Sequence, residues 1–259
     1  DENYSLSTPL EFEDKDFTDS NIIENESTLE DEDILESFFL AGCKNPKHKL
    51  SLEEMVDQIC MLFLAGHETS AAALSWTLYL LANDQATQAK IYDEISQTLG
   101  GEPLTFEHLK HLKQVSASFF EAMRLYPPVY ILPREISRKI NGKNQKKHYF
   151  INNWSLHRCP AYWSKPESFC PHRFVEKDHK EYTKEGVYLP FSKGPRACIG
   201  KAFAIQEGLV ILSLLLKDYQ VLPANNKSSK PRGGVTLRTV NGIHIKLSKR
   251  MGEAKDGIR

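Results

Sequence analysis

From Cys60 to Ala82 the chain reads CMLFLAGHETSAAALSWTLYLLA, an apolar run interrupted near one end by His67, Glu68 and Thr69. A carboxylate inside such a segment is costly unless something uses or neutralises it. Any fold built on this run must therefore account for Glu68. Ser51 is placed as an N-cap with Glu53 and Glu54 behind it, which predicts a helix opening there and continuing through the whole stretch. Such a helix, of about thirty residues, is about 45 Å long at the usual rise. Being apolar on most faces, it is expected to cross the middle of a sizeable helical domain. A membrane span is excluded, because Ser70 to Ala82, the part without ionisable groups, is only 13 residues long.

The near-zero net charge of the 259 residues, −1, conceals an asymmetry. Residues 1–36 hold 14 Asp and Glu against the single Lys15, and the remainder carries 20 acids against 32 Lys and Arg, a formal +12. An acidic, low-complexity start predicts a solvated or disordered segment over 1–32. A basic body suggests an anionic partner, and charge alone does not choose between nucleic acid, membrane and acidic protein. The five cysteines, at 43, 60, 159, 170 and 198, form no close pairs. That argues against a disulfide framework and for a reducing compartment. The spacing of Cys159, Cys170 and His172 matches no familiar zinc site. The opening DENYSLSTPL has neither the basic start nor the apolar run of a signal peptide. A cytoplasmic chain is expected, with membrane association through a preceding part left open.

Along the chain, DILESFFLAG (33–42) has helical spacing. Residues 83–101 predict an amphipathic helix closed by Gly100 and Gly101. Residues 104–128 read as one helix ended by Pro127 and Pro128. Short strands are expected over 134–156, an ordered coil over 157–195, and an apolar helix over 200–219. The end, GGVTLRTVNGIHIKLSK, has an Asn-Gly turn between alternating residues and predicts a β-hairpin. The fold class is mainly α with a minor β-sheet, α+β.

The stretch FSKGPRACIG, Phe191 to Gly200, carries the most specific chemistry. Cys198 lies just before a helix, where unpaired N–H groups and the helix dipole favour a thiolate. Gly194 permits a tight turn, and Gly200 permits close approach of something bulky. Arg196 supplies a fixed cation, and Phe191 can shield the sulfur from water. A thiolate in a dry, N–H-lined loop suits a soft metal. The plain alternative is a buried, inert cysteine.

FSKGPRACIG matches in full the Phe-x-x-Gly-x-Arg-x-Cys-x-Gly signature of the cytochrome P-450 family, which the chain resembles through most of residues 33–250. The resemblance implies that Cys198 is the axial thiolate of haem iron, that Arg196 holds a propionate, and that Phe191 packs by the sulfur. Glu121 and Arg124 of EAMR resemble the family's Glu-x-x-Arg motif, and Arg173 of PHRF its third, structural member. Such a buried network must be fully hydrogen-bonded to be tolerated. Arg134 sits where many members place a second propionate ligand. AGHET, Ala65 to Thr69, resembles the central-helix motif that crosses the distal face of the haem. Ala65 and Gly66 would then be small to admit bound dioxygen, and Glu68 with Thr69 would relay protons to it. A Thr hydroxyl there can also bond back to the carbonyl four residues earlier.

The resemblance implies a haem-thiolate monooxygenase, with haem b as cofactor and NAD(P)H electrons delivered through a reductase or ferredoxin. It implies oxygenation of a C–H bond, and no nucleic acid. Lys193, Lys201 and Lys217 would present a basic proximal face to that partner or serve solubility alone. AGHET, SLHR and YWSKPESF resemble members acting on fatty acids and similar small lipophilic substrates. The family usually has roughly two hundred further residues before this region. Residues 33–259 are accordingly read as the C-terminal part of the catalytic domain, with the N-terminal helices missing. The segment 139–150 is also shorter than usual and lacks a Pro-Lys-Gly turn. A non-catalytic remnant that binds haem weakly is the alternative.

Overall fold

The computed structural model describes residues 49–140, 143–224 and 229–250. The expected acidic segment and the helix expected at 33–42 lie outside the described residues. The chain divides into two units, Asp1–Leu62 and Phe63–Arg259. In the first, Ser51 opens helix α1 (Leu52–Asn83) with a reciprocal cap. Its Oγ accepts the Glu54 N–H at 3.2 Å, and the Glu54 carboxylate accepts the Ser51 N–H at 2.8 Å. Two otherwise orphaned donors are satisfied at once.

In the second unit the expected burial of α1 holds only for its later turns. Ala73, Trp76, Thr77, Leu81 and Ala82 are buried, whereas Phe63 and Leu64 are exposed. Helix α2 (Gln85–Leu99) is as predicted. Asp84 caps the Thr87 N–H, Gly100 closes it at φ +54°, and Gln88, Ile91, Ile95 and Leu99 form the buried stripe. Among the described residues no helix is long and apolar enough to cross a membrane.

The single helix expected over 104–128 is two: α3 (Phe106–Leu109) and α4 (Lys113–Leu125). The break is held by a neighbour. The Glu94 carboxylate of α2 accepts the N–H of Gln114 at 2.8 and 2.9 Å and that of Val115 at 3.2 Å. It thereby caps a helix start that has no capping side chain of its own. Beyond it, ten residues of α4 are buried, from Val115 to Leu125. Such a helix can only sit at the centre of its unit.

The strands expected over 134–156 are longer than foreseen. Strand β1 (Ile131–Ile140) pairs antiparallel with β2 (Lys143–Asn152) along ten residues, and Asn153 and Trp154 belong to a short helix, α5 (Asn153–Leu156). The expected coil also contains α6 (His172–Glu176) and α7 (His179–Lys184). Helix α8 (Lys201–Asp218) follows as predicted.

The C-terminal hairpin does not form. Strand β3 (Tyr219–Pro223) pairs with β6 (Ile245–Lys249), and β4 (Pro231–Arg232) pairs with β5 (Arg238–Thr239). Asn241 and Gly242 therefore turn between strands that belong to different pairs. The buried amide of Gln88 holds β3 against α2: it accepts the Val221 N–H at 2.8 Å and donates to the Val221 carbonyl at 2.9 Å. The unit is mainly helical with small antiparallel sheets. Its core gathers Ile91, Ile95, Phe119, Phe120, Leu212 and Leu216 from α2, α4 and α8, with Trp163 and Tyr188 from the intervening coil.

Candidate active site around Cys198

The loop carrying Cys198 is pinned by its own backbone. The Cys198 N–H donates to the Phe191 carbonyl at 2.9 Å, and the Ala197 N–H to the Gly194 carbonyl at 2.8 Å. Gly194, at φ +87°, occupies the left-handed region, where a side chain would be strained. Cys198 is exposed and sits three residues before α8. The cap of that helix makes no side-chain hydrogen bond, so its first N–H groups and dipole suit an anionic ligand.

Gly200 has an ordinary φ of −86°, so its backbone does not demand glycine. A Cβ there would meet nothing within 4 Å, and the same is true of Gly66 in α1. Both positions leave open space instead of filling a contact. Ile199 is 92% exposed and Phe203 70% exposed, so apolar side chains just after Cys198 in the chain are uncovered.

Arg134 reaches this loop from β1. Its Nη2 donates to the Ser192 hydroxyl, and its Nη1 to the Pro133 carbonyl at 2.9 Å. Arg196 is exposed on the loop itself. The three lysines do not cluster. Lys193 donates to the Lys184 carbonyl at 3.4 Å. Lys201 and Lys217 stand at opposite ends of α8, about 24 Å apart along its axis.

On α1 the Thr69 hydroxyl donates to the Ala65 carbonyl at 2.6 Å, the expected back-bond. Glu68 faces a different way. Its Oε1 accepts from the Thr236 hydroxyl and from Arg238 Nε at 2.7 Å. The Thr236 hydroxyl, with the Arg238 guanidinium, holds its carboxyl below the usual glutamate range. A cleft of about 490 Å³ opens here between Leu64, Ala71, Ala72, Trp76 and the segment 236–243. Sequence reasoning missed Thr236 and Arg238. No local pattern joins them to a residue 168 and 170 positions earlier.

The structure brings Glu121, Arg124 and Arg173 into one network, fully buried at Glu121 and Arg124. Arg124 uses all five donors. Nε and Nη2 fork onto Glu121 at 2.8 and 2.9 Å, and the others reach the carbonyls of His157, Pro166 and Ser168. Glu121 also accepts Arg173 Nε at 3.1 Å and the Cys170 N–H at 2.9 Å. The charges are therefore balanced by hydrogen bonds on every side.

The network reaches the cysteine loop through two residues that the sequence did not single out. His157 Nε2 accepts the Leu189 N–H at 2.9 Å, and Asn153 Nδ2 donates to the Leu189 carbonyl at 3.0 Å. Leu189 is thus gripped on both sides two residues before Phe191. Burial, with Arg124 adding to it, pushes the His157 pKa down to about 3, so the ring is neutral and its Nε2 can accept. The only signal was the position of His157 in SLHR.

Residues 12–246 match the family model described as Cytochrome P450. Among curated relatives, the chain is 34% identical to Protein LUTEIN DEFICIENT 5, chloroplastic, of Arabidopsis thaliana, over 78% of this chain and 35% of that protein. It is 33% identical to Cytochrome P450 4Z1 of Homo sapiens over 84% of this chain and 44% of that protein. Against Cytochrome P450 4V2 of Mus musculus the identity is 35%, over 78% and 40% respectively. The chain thus spans less than half the length of these relatives, between 35% and 44%. Cysteine loop, buried Glu-Arg-Arg network and a match along most of the sequence agree: the chain belongs to the cytochrome P450 family.

Proposed function

We propose that the chain carries the thiolate side of a haem monooxygenase site acting on a small lipophilic substrate. One observation carries the reading: the Cys198 sulfur is exposed on a backbone-pinned loop at the start of α8, within the full Phe191–Gly200 signature. The residues present fit haem. An accessible cysteine sulfur on the loop, two arginines beside it, uncovered Ile199 and Phe203, and open space at Gly66 and Gly200 suit a flat, apolar, dianionic group. When bound, such a group supplies dioxygen activation and C–H oxygenation, using electrons from NAD(P)H through a redox partner.

The chain's own residues do the rest. Cys198 gives the sulfur, exposed on a loop that the Phe191 carbonyl pins and whose Phe191 side chain packs against the core. Arg196 and Arg134 offer charge to the propionates, Arg134 from a position fixed by Ser192. Thr69 holds a proton at Oγ1, donated to the Ala65 carbonyl, and Glu68, once turned away from Thr236 and Arg238, carries protons from water toward it. Lys193 and Lys201 meet an acidic reductase or ferredoxin near the loop. Two relatives are named Carotene epsilon-monooxygenase, chloroplastic (Arabidopsis thaliana) and Taurochenodeoxycholic 6 alpha-hydroxylase (Sus scrofa), which supports a lipophilic substrate class.

The test is a reduced carbon monoxide difference spectrum of haem-reconstituted protein. Cys198→Ser is expected to abolish the red-shifted thiolate band, while serine at 43, 60, 159 or 170 leaves it. Survival of the band in Cys198→Ser would falsify the assignment.

A further inference from the structure

We propose that Arg238 and Thr236 are positioning residues for Glu68, clamping its carboxylate to the C-terminal segment and releasing it when the ion pair opens. The inference deepens the reading of Glu68 as a proton carrier and rests on it. Arg238 contributes Nε at 2.7 Å and Nη2 at 2.5 Å, and the Thr236 hydroxyl donates to the same carboxylate oxygen. The partners differ in exposure. Thr236 is 4% exposed, whereas the Arg238 side chain is 68% exposed and that of Glu68 16%. The clamp therefore has a fixed, dry half and a half that solvent can pull away.

The segment bearing the clamp is held independently of it. The Leu237 N–H donates to the Pro128 carbonyl at 2.9 Å, and the Trp76 indole N–H donates to the Leu237 carbonyl at 3.4 Å. Trp76 in turn stacks on Tyr126 at 3.9 Å between centroids. Loss of the Arg238 side chain thus leaves the segment in place, so a change in Glu68 can be read without unfolding the cleft. The other titratable side chain lining the cleft is His67, on α1.

With the clamp shut, Glu68 is a carboxylate and its proton is in solvent. With it open, the carboxylate takes a proton from water, passes it toward the Thr69 hydroxyl, and returns to Arg238 as a carboxylate. Only a proton moves. The pairing so decides when the acid is loaded and which way it faces, a task separate from fastening α1.

The test uses the full chain. In difference infrared titration, the carboxyl band lost in Glu68→Gln reports that group alone. Its midpoint is expected to rise toward the ordinary glutamate value in Arg238→Gln and in Thr236→Val, with Arg238→Lys restoring most of the parent behaviour. In haem-reconstituted protein, product per oxygen consumed is expected to fall several-fold in Arg238→Gln at unchanged haem content. An unmoved midpoint in both variants overturns the proposal, as does an unchanged product yield. If the parent itself shows no thiolate spectrum, the haem reading fails, and the infrared titration alone then decides whether Arg238 positions Glu68. Should Arg238→Gln fail to fold, Thr236→Val supplies both measurements.

Discussion

Arg124 and Glu121 face each other one turn apart on α4, with both side chains at zero exposure and the guanidinium forked onto the carboxylate at 2.8 and 2.9 Å. The pair also organises chain far away. Through Arg124 it holds the carbonyls of His157, Pro166 and Ser168, and through Glu121 the Cys170 amide. These hydrogen bonds tie α4 to a coil that has little regular secondary structure of its own.

Arg124→Ala is expected to cost about 3–5 kcal/mol, because it leaves the buried Glu121 carboxylate to Arg173 and the Cys170 amide alone and strands three carbonyls. Arg124→Lys should recover little of that loss. An ammonium has three donors and no planar fork, whereas five directions are used here. Urea unfolding of the three proteins checks this. A lysine variant within experimental error of the parent would show that charge alone suffices.

His157 gives the pH dependence a sign. Its folded pKa of about 3 lies below the unfolded value of about 6.5, because burial and the neighbouring Arg124 oppose a charged ring. Its contribution is complete above the unfolded value. As pH falls from about 6.5 toward about 3, the unfolded chain takes up a proton that the folded chain refuses. Stability is then lost at up to about 1.4 kcal/mol per pH unit. Denaturant unfolding at a series of pH values should show this slope. His157→Gln, which keeps an acceptor for the Leu189 N–H, should flatten it. A slope unchanged in His157→Gln would assign the acid sensitivity elsewhere.

How far the sequence could be read follows from the range of the interactions involved. Helices α1, α2 and α8 were legible because caps and apolar spacing are local. The cysteine loop was legible because its parts are contiguous, from Phe191 to Gly200. The false hairpin shows the opposite case. Asn241 and Gly242 carry a strong local turn signal, and Gly242 does adopt φ +75°. Yet Ile245–Lys249 finds a better partner in Tyr219–Pro223, whose Val221 is fully buried and bonded to Gln88. Tertiary burial outweighs a turn preference. Glu68 was recognised as needing a partner, but Arg238 was not named. Only the folded chain brings 68 and 238 together.

Gly208 tests the packing of α8. A Cβ there would lie 2.6 Å from Phe119 Cζ and 3.0 Å from two further ring atoms. Phe119 is 2% exposed and belongs to the central core, so its ring has little room to retreat. Gly208→Ala gains about 1 kcal/mol of helix propensity. It should nonetheless lose stability overall, because overpacking costs about 1–3 kcal/mol. Gly208→Ala combined with Phe119→Leu should be less than additive, since the smaller side chain relieves the clash. Simple additivity in thermal unfolding would remove Phe119 as the cause.

Glu94 decides where α4 begins. Its carboxylate takes the amides of Gln114 and Val115, which have no helical acceptor, and no side chain at the cap position does this instead. Burial nevertheless pushes its carboxyl above the usual glutamate range, outweighing the bonds from those amides. The site therefore needs an acceptor more than it needs a charge. Glu94→Ala should cost about 1–2 kcal/mol, the usual range for a lost helix cap. Glu94→Gln keeps an amide oxygen of the same reach and should cost less than half as much. Hydrogen exchange should localise the effect, with the Gln114 and Val115 amides losing protection in Glu94→Ala and keeping most of it in Glu94→Gln. Equal losses in the two variants would mean that the carboxylate's charge, not its accepting oxygen, holds the start of α4.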